Sequence, residues 1–385
     1  MKQKYFYLLL TLSAFSVGLQ ARNPERRILE LIEQVSREEK LDTRTVVYEP
    51  IIEKKGRRWV VGGSISDPQL AHRLRCKLDS AEIPVTDHIR LIPDTVVGEK
   101  CYGLISVSVG NMRRRGSYSS EMVSQALLGT PVRILDKPDW LRIQTPDNYI
   151  GYVTPGAIHR MTREEFEQWE KAPKIIYTGI YGFAYNAPDT SSPTVSDLVF
   201  GGILQQTGET TDFFEIRFPD GRKGFVNKDE SELLSVWQLQ CNAVPDNIIA
   251  SAYRLMGIPY LWGGTSTKGM DCSGFIKTIA LMNGKMLQRD ASQQAYVGEP
   301  IAPGEDFEQL LPGDLLFFGR KATDTEKEKV IHVGLYLGNK QFIHAASRIR
   351  INSFDPASPD YDSYNTARFL WATRPFTATP LSYRP

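Results

Sequence analysis

The sequence predicts a multidomain protein: a small α+β unit at the N-terminus, two small β-barrels, and a larger C-terminal α+β domain with a mostly antiparallel sheet. Three observations lead to this. The length of 385 residues exceeds one ordinary domain, at roughly 100–200 residues each. The middle of the chain carries two copies, about 75 residues apart, of one β-rich pattern, a sign of duplicated units. The last third mixes helical and strand periodicities.

The N-terminal unit, residues 22–100, opens with Ile28, Leu29, Leu31, Ile32 and Val35 at helical spacing between Pro24 and Lys40. Strands are expected over Thr43–Ile52 and Arg57–Ile65, a helix over Pro68–Leu78, and a strand near Ile89. No chemistry-bearing motif falls here. Before it, MKQKYFYLLLTLSAFSVGLQA has Lys2 and Lys4, an apolar run from Tyr5 to about Val17, and small residues at Gly18 and Ala21. That pattern predicts a secretory signal peptide over residues 1–21, a periplasmic or secreted protein, and no membrane span once the leader is removed.

The two copies cover residues 101–162 and 174–236. Their closing hairpins, DWLRIQTPDNYIGYV and DFFEIRFPDGRKGFV, share an alternating strand, a Pro-Asp turn and a Gly-aromatic-Val ending. Both resemble bacterial SH3-like domains. MTREEFEQWEKAPK between them reads as a short polar helix and linker.

From residue 241 to 376, Asp246 is expected to cap a helix running to Met256, and Asp271 a second helix with Phe275, Ile276, Ile279 and Ala280 on its apolar face. Strands are expected at GDLLFFG, VIHVGLYLG, QFIHAAS, IRINSF and ARFLWATR. Hydrophobic residues at 41%, charged residues at 24% and a net charge of +1 give no basic excess for nucleic-acid binding. Neither CxxC nor a Cys/His zinc spacing occurs, so no metal or cofactor is expected. The four cysteines are Cys76, Cys101, Cys241 and Cys272. Cys76 and Cys101 could pair in an oxidising compartment, though connectivity is not readable from sequence.

Cys272 follows Asp271 at the head of its helix, in MDCSGF. There the dipole and free N–H groups favour a thiolate, whereas the alternative fate of such a cysteine is a small buried hydrophobe. A thiol nucleophile needs an imidazole to take its proton and a third group to orient that imidazole. Of five histidines, His332 and His344 fall in adjacent predicted strands. A three-residue loop at Gly338-Asn339-Lys340 pairs Gly334 with His344 and puts both rings on one face, with Cα atoms roughly 7–8 Å apart. A two-residue loop puts them on opposite faces.

The ordered strings YLWGGTSTKGMDCSGF, LQRDASQQ, PGDLLFF, HVGLYLG and FIHAAS resemble the successive motifs of the NlpC family of bacterial cell-wall cysteine peptidases, over roughly Asp246 to Phe376. The resemblance implies a circularly permuted papain-like fold, with Cys272 as nucleophile, His332 as general base, His344 as orienting residue and Tyr260 beside the oxyanion site. It implies substrate contacts from Asp271 and Ser273. Two SH3-like domains followed by such a domain resemble the γ-D-glutamyl-L-diamino acid endopeptidases, which cut peptidoglycan stem peptides with a free N-terminal L-Ala. In that subgroup a tyrosine of the first barrel closes the cleft, and Tyr149 matches its place. A barrel glutamate used in relatives falls on Val123, with Glu121 nearby, and a serine after the Arg-Asp pair falls on Ala291, with Ser292 next.

A free substrate ammonium needs an anion in a closed cleft, and Asp271 is the expected partner, while Arg289 and Ser273 suit a D-Glu carboxylate. Arg289 and Asp290 could equally form a structural ion pair. The expected protein is therefore a monomeric cysteine endopeptidase acting on peptidoglycan-derived peptides. The rival readings are an amidase or endopeptidase of intact wall and a non-catalytic wall-binding protein.

Overall fold

The computed structural model describes residues 23–137 and 139–376, in two compact units that divide at Val96/Val97. The leader expected over residues 1–21 lies outside the described residues. In the first unit, helix α1 (Pro24–Glu38) is capped by Asn23, whose side chain accepts from the Arg26 N–H. Strands β1 (Tyr48–Lys55) and β2 (Arg58–Ile65) form an antiparallel hairpin, and Asp67 caps α2 (Pro68–Ser80). The short strands β3 (Val85–Asp87) and β4 (Arg90–Leu91) then pair with β2 in parallel. Ile28, Leu31, Val35, Val61, Ile65 and Leu74 close the core between helices and sheet.

The second unit opens with β5 (Tyr102–Ile105), β6 (Val109–Arg113), β7 (Met122–Leu127), β8 (Pro131–Asp136), β9 (Leu141–Gln144), β10 (Ile150–Val153) and β11 (Ile158–Met161). Among the described residues these make one sheet in the order β11-β5-β8-β9-β10-β6-β7. After α3 (Arg163–Lys171), held at its start by a Thr162/Glu165 capping box, come β12 (Lys174–Tyr177), β13 (Tyr181–Tyr185), β14 (Thr194–Val199), β15 (Ile203–Glu209), β16 (Phe213–Arg217), β17 (Lys223–Asn227) and β18 (Ser231–Leu233). Their order, β18-β12-β15-β16-β17-β13-β14, repeats the first sheet strand for strand. The duplication inferred from the hairpin sequences thus extends to the whole topology. The expected barrels are open sheets, because the end strands of each do not pair with one another. The outer edge of β7 is used otherwise: Gln125 accepts the Thr265 N–H at 2.9 Å through its side chain and the Thr265 hydroxyl at 3.0 Å through its carbonyl. An edge strand covered in this way has no unpaired rim to leave in water.

In the C-terminal domain, α4 (Leu234–Gln240) leads to α5 (Pro245–Arg254). Asp246 is not its cap: the helix begins at Pro245 after Val244, proline needing no N–H there, and Asp246 lies in the first turn. After the short hairpin β19 (Thr265–Ser266) and β20 (Gly269–Met270), helix α6 (Cys272–Met282) packs on an antiparallel sheet ordered β21 (Glu299–Ile301), β26 (Phe369–Arg374), β22 (Leu315–Arg320), β23 (Lys329–Gly338), β24 (Gln341–Ala346), β25 (Arg348–Ser353). Phe275, Ile276 and Ile279 of α6 meet Val333, Leu335, Ile343 and Phe317 in one buried cluster. An aromatic layer of Phe318, Tyr336, Phe342 and Phe354 forms a second. Cys76, Cys101, Cys241 and Cys272 are all free thiols. Among the described residues no helix is long and apolar enough to cross a membrane.

Candidate active site

The head of α6 is built by close backbone packing. Asp271 is its N-cap and accepts the Gly274 N–H at 2.8 Å. A Cβ at Gly274 would lie 1.9 Å from the Gly264 carbonyl oxygen, so only glycine lets the helix seat against the YLWGG loop. The Cys272 side chain is buried at 7% exposure, and the N–H groups of Val333 and Ser273 lean on its sulphur. Val333 is the residue after His332 on β23. The low-pKa thiolate expected from the helix dipole is not what results. Burial, and then the adjacent Asp271 carboxylate, push the thiol up to about 12, outweighing the N–H groups and Arg289.

His332 and His344 share a face, and the turn achieves it in a way the sequence reading did not foresee. Asn339 and Lys340, at φ of 50° and 62°, make a two-residue turn of the type that needs both residues left-handed. Alone it would put the rings on opposite faces, but a bulge between Tyr336 and Gly338 adds back one residue. Leu335 then pairs with Ile343, and a Cβ at Gly334 would meet that of His344 at 3.4 Å. His332 Nε2 lies 2.7 Å from His344 Nδ1, and His344 Nε2 lies 2.9 Å from Asn352 Oδ1. Asn352 Nδ2 donates to the Asp360 carbonyl at 2.9 Å, which fixes its orientation. Since Oδ1 can only accept, His344 carries its proton on Nε2 and accepts on Nδ1 from His332 Nε2–H. His332 Nδ1 is left with a lone pair, the form a general base requires. Burial first, then the neighbouring His344, hold His332 well below the usual histidine value, and burial lowers His344 as well. Both shifts favour the neutral thiol and the neutral imidazole.

Asp271, Ser273 and Arg289 form a closed network. Arg289, 1% exposed, donates to Asp271 Oδ1 at 3.1 Å and Oδ2 at 2.5 Å, and to Ser273 Oγ at 2.9 Å. Asp271 also accepts from Ser273 Oγ, Gly274 N and, at 2.9 Å, Gly263 N. Five donors saturate this carboxylate, so it has no free lone pair for a substrate ammonium, contrary to the sequence expectation. Arg289 hydrogen-bonds to Asp271 and also stands in a looser ion pair, at 4.0 Å, with Asp290. Its Nε is buried without a hydrogen-bond partner among the described residues.

Around this network the structure gathers the other expected residues. Tyr260 bridges to Met270, within electrostatic reach of Cys272 and Asp271; burial first, then these neighbours, raise its phenol, keeping it a proton donor. Tyr149, on the first β domain, places its hydroxyl 3.2 Å from Asp290 Oδ2. Ser292 lies on the short helix α7 (Ala291–Gln294) that Asp290 caps. Glu121, two residues before Val123, accepts the Trp262 indole N–H at 3.0 Å and pairs with Arg114 at 2.7 Å. It stands on the YLWGG loop whose Gly263 holds Asp271. Val123 is packed against the core of its own domain. Asn352 escaped the sequence reading; the one signal was a polar residue at an alternating position of IRINSF. Among the described residues no group of three His, Cys, Asp or Glu could hold a metal ion.

A buried cysteine at a helix head, a tautomer-fixed imidazole pair on the neighbouring strands and a phenol donor beside them define a thiol hydrolase of the acyl-transfer type. Residues 257–372 match the NlpC/P60 family, and residues 112–158 match the bacterial dipeptidyl-peptidase Sh3 domain. A γ-D-glutamyl-L-lysine dipeptidyl-peptidase of Bacillus cereus is 30% identical over 65% of this chain and 75% of its own length. Dipeptidyl-peptidase 6 of Lysinibacillus sphaericus is 26% identical over 67% and 93%. The crystal structure of an NlpC/P60 family protein from Bacillus cereus superimposes with a TM-score of 0.59 and 24% identity, covering 72% of this chain and all of that one. The chain belongs to the NlpC/P60 family and is a cysteine peptidase.

Proposed function

We propose that the protein is a secreted or periplasmic endopeptidase that hydrolyses the bond between γ-D-Glu and the following diamino acid in peptidoglycan stem peptides with a free N-terminal L-Ala. Similarity to the γ-D-glutamyl-L-lysine dipeptidyl-peptidase supports the bond. The observation that carries the free-amine requirement is Tyr149 against Asp290, a wall from the first β domain beside the head of α6. In this reading the ammonium faces the part-exposed carboxylates flanking the Asp271–Arg289 pair, Asp290 and Glu121. Asp271 acts as a strut that holds Ser273 and Arg289. The lactyl group that joins L-Ala to sugar in intact wall would meet Tyr149.

The chemistry follows from neutral partners. His332 Nδ1 takes the thiol proton as Sγ bonds to the γ-carbonyl carbon. The oxyanion is met by the Tyr260 hydroxyl and backbone N–H at the helix head. His332 returns the proton to the diamino acid nitrogen as the C–N bond breaks, and water, deprotonated by the same imidazole, cleaves the thioester. Mass spectrometry of products from L-Ala-γ-D-Glu-diaminopimelate, its lysine analogue and their N-acetylated forms tests this. Cleavage after γ-D-Glu in the free peptides, with the acetylated forms spared, is expected. Comparable kcat/KM for free and acetylated peptides would turn the assignment toward an enzyme of intact wall.

A further inference from the structure

Asp147, in the Pro-Asp turn of the first β domain, and Lys277, on the nucleophile's helix α6, form an ion pair between domains. Its side chains are only 3% and 18% exposed. The turn is rigid in itself: Thr145 N donates to the Tyr149 carbonyl at 3.0 Å, Asn148 N to the Thr145 carbonyl at 2.8 Å, and Asn148 is left-handed at φ 65°. The Thr145 hydroxyl donates to Asp147 at 2.6 Å. Burial alone would raise the Asp147 carboxyl, yet the Lys277 ammonium and the Thr145 hydroxyl bring it below the usual carboxylate value. Two residues on, Tyr149 reaches Asp290.

The duplicate domain supplies an internal control. Its matching turn closes the same way, Phe218 N donating to the Arg222 carbonyl at 2.8 Å. Asp220, at the place of Asp147, pairs at 2.8 Å with Arg222 of its own turn, at 35% and 39% exposure. A buried cross-domain ion pair at this aspartate is therefore not a requirement of the turn.

We propose that Asp147 and Lys277 are an interdomain latch that fixes the Thr145–Tyr149 turn to the helix carrying Cys272, and so sets where Tyr149 stands against Asp290 and which substrate N-termini the cleft admits. Both act as positioning residues, touching no substrate. An apolar cavity of about 80 Å³ beside the pair, lined among others by Trp237, Ile203 and Leu281, gives altered side chains room. The inference rests on the reading that Tyr149 walls the cleft.

The test uses the full chain with Asp147→Asn, Lys277→Gln, the double variant Asp147→Asn/Lys277→Gln, and Asp220→Asn as control. Hydrogen–deuterium exchange over residues 145–153 should quicken at least tenfold in both single variants, recover in the double variant, whose amides can bond one another, and stay unchanged in Asp220→Asn. On the free-amine peptide the single variants should raise KM about tenfold with kcat within threefold, and narrow the preference over the acetylated peptide by a similar factor. Exchange over 145–153 unchanged in the single variants overturns the latch, whatever the peptide result. So does quickened exchange with peptide preference intact, or a loss confined to kcat. Failure of the unaltered protein to cut either peptide would sink the substrate assignment alone, since the exchange readout needs no substrate.

Discussion

His344 Nε2 lies 2.9 Å from Asn352 Oδ1, and that single acceptor decides where the protons sit on two imidazoles. Asn352→Ala frees His344 to carry its proton on Nδ1, opposing the His332 Nε2–H and favouring the His332 tautomer that cannot take a proton from the thiol. We expect kcat to fall by roughly a hundredfold, the scale of a general-base contribution, with KM little changed. Asn352→Asp, which keeps an acceptor, should retain more activity than the alanine variant. Steady-state kinetics, with ¹⁵N chemical shifts of the His344 ring to read the tautomer, checks both.

Cys272→Ala should abolish hydrolysis while leaving a folded protein, a loss of several orders of magnitude, as expected when a covalent nucleophile is removed. His332→Ala should be about as damaging and His344→Ala less so. In the free protein the buried thiol, held up to about 12, should also alkylate slowly near neutral pH, after exposed Cys76. Timed iodoacetamide labelling with peptide mapping reads this order. Cys272 labelled faster than Cys76 would show a resting thiolate.

The pH profile follows from the sign of the histidine shifts. Protonating His332 removes the base, and because its folded value is depressed, the acid limb of kcat/KM should lie well below pH 6.5. The basic limb should come from the substrate's α-amine, near pH 8, rather than from the enzyme thiol. Stability should fall on the same acid side: below about pH 6.5 the unfolded chain binds protons that buried His332 and His344 do not, so the unfolding free energy rises with pH through this window. Kinetic profiles and thermal unfolding across pH 4–8 measure the two effects separately.

Arg289→Met leaves Asp271 buried with its charge uncompensated, a loss of about 3–5 kcal/mol in unfolding free energy. Arg289→Met/Asp271→Asn should recover a substantial part, since the carboxamide carries no charge and can still accept at the helix cap. Denaturant melts of the two variants should separate clearly. Equal melts would show that the pair is not the compensation inferred from its geometry.

The order of domains and the capped nucleophile helix were legible in the chain because each rests on local signals: repeated hairpins, and Asp271 before Cys272. What escaped depends on tertiary contact. The bulge that offsets the Asn339-Lys340 turn leaves no mark in a string of apolar residues. The thiol's upward shift comes from burial, which overrides the dipole that sequence reveals. Asp271 reads as a free anion until Arg289, eighteen residues on, is seen to fill it. Asn352 acquires meaning only when β24 and β25 pair His344 with Arg350.

The two copies of one sheet have parted in what their Pro-Asp turns do. In the first, the residue two places after the aspartate is Tyr149, whose hydroxyl meets Asp290 of the C-terminal domain; in the second it is Arg222, whose guanidinium donates to the Ser106 carbonyl of the first copy at 2.9 Å. One turn is thereby joined to the C-terminal domain and the other to its sister copy. The two turns are therefore not interchangeable: loop exchanges between the copies should not be neutral, and on the role proposed for Tyr149 a new specificity would call for changes in the first copy.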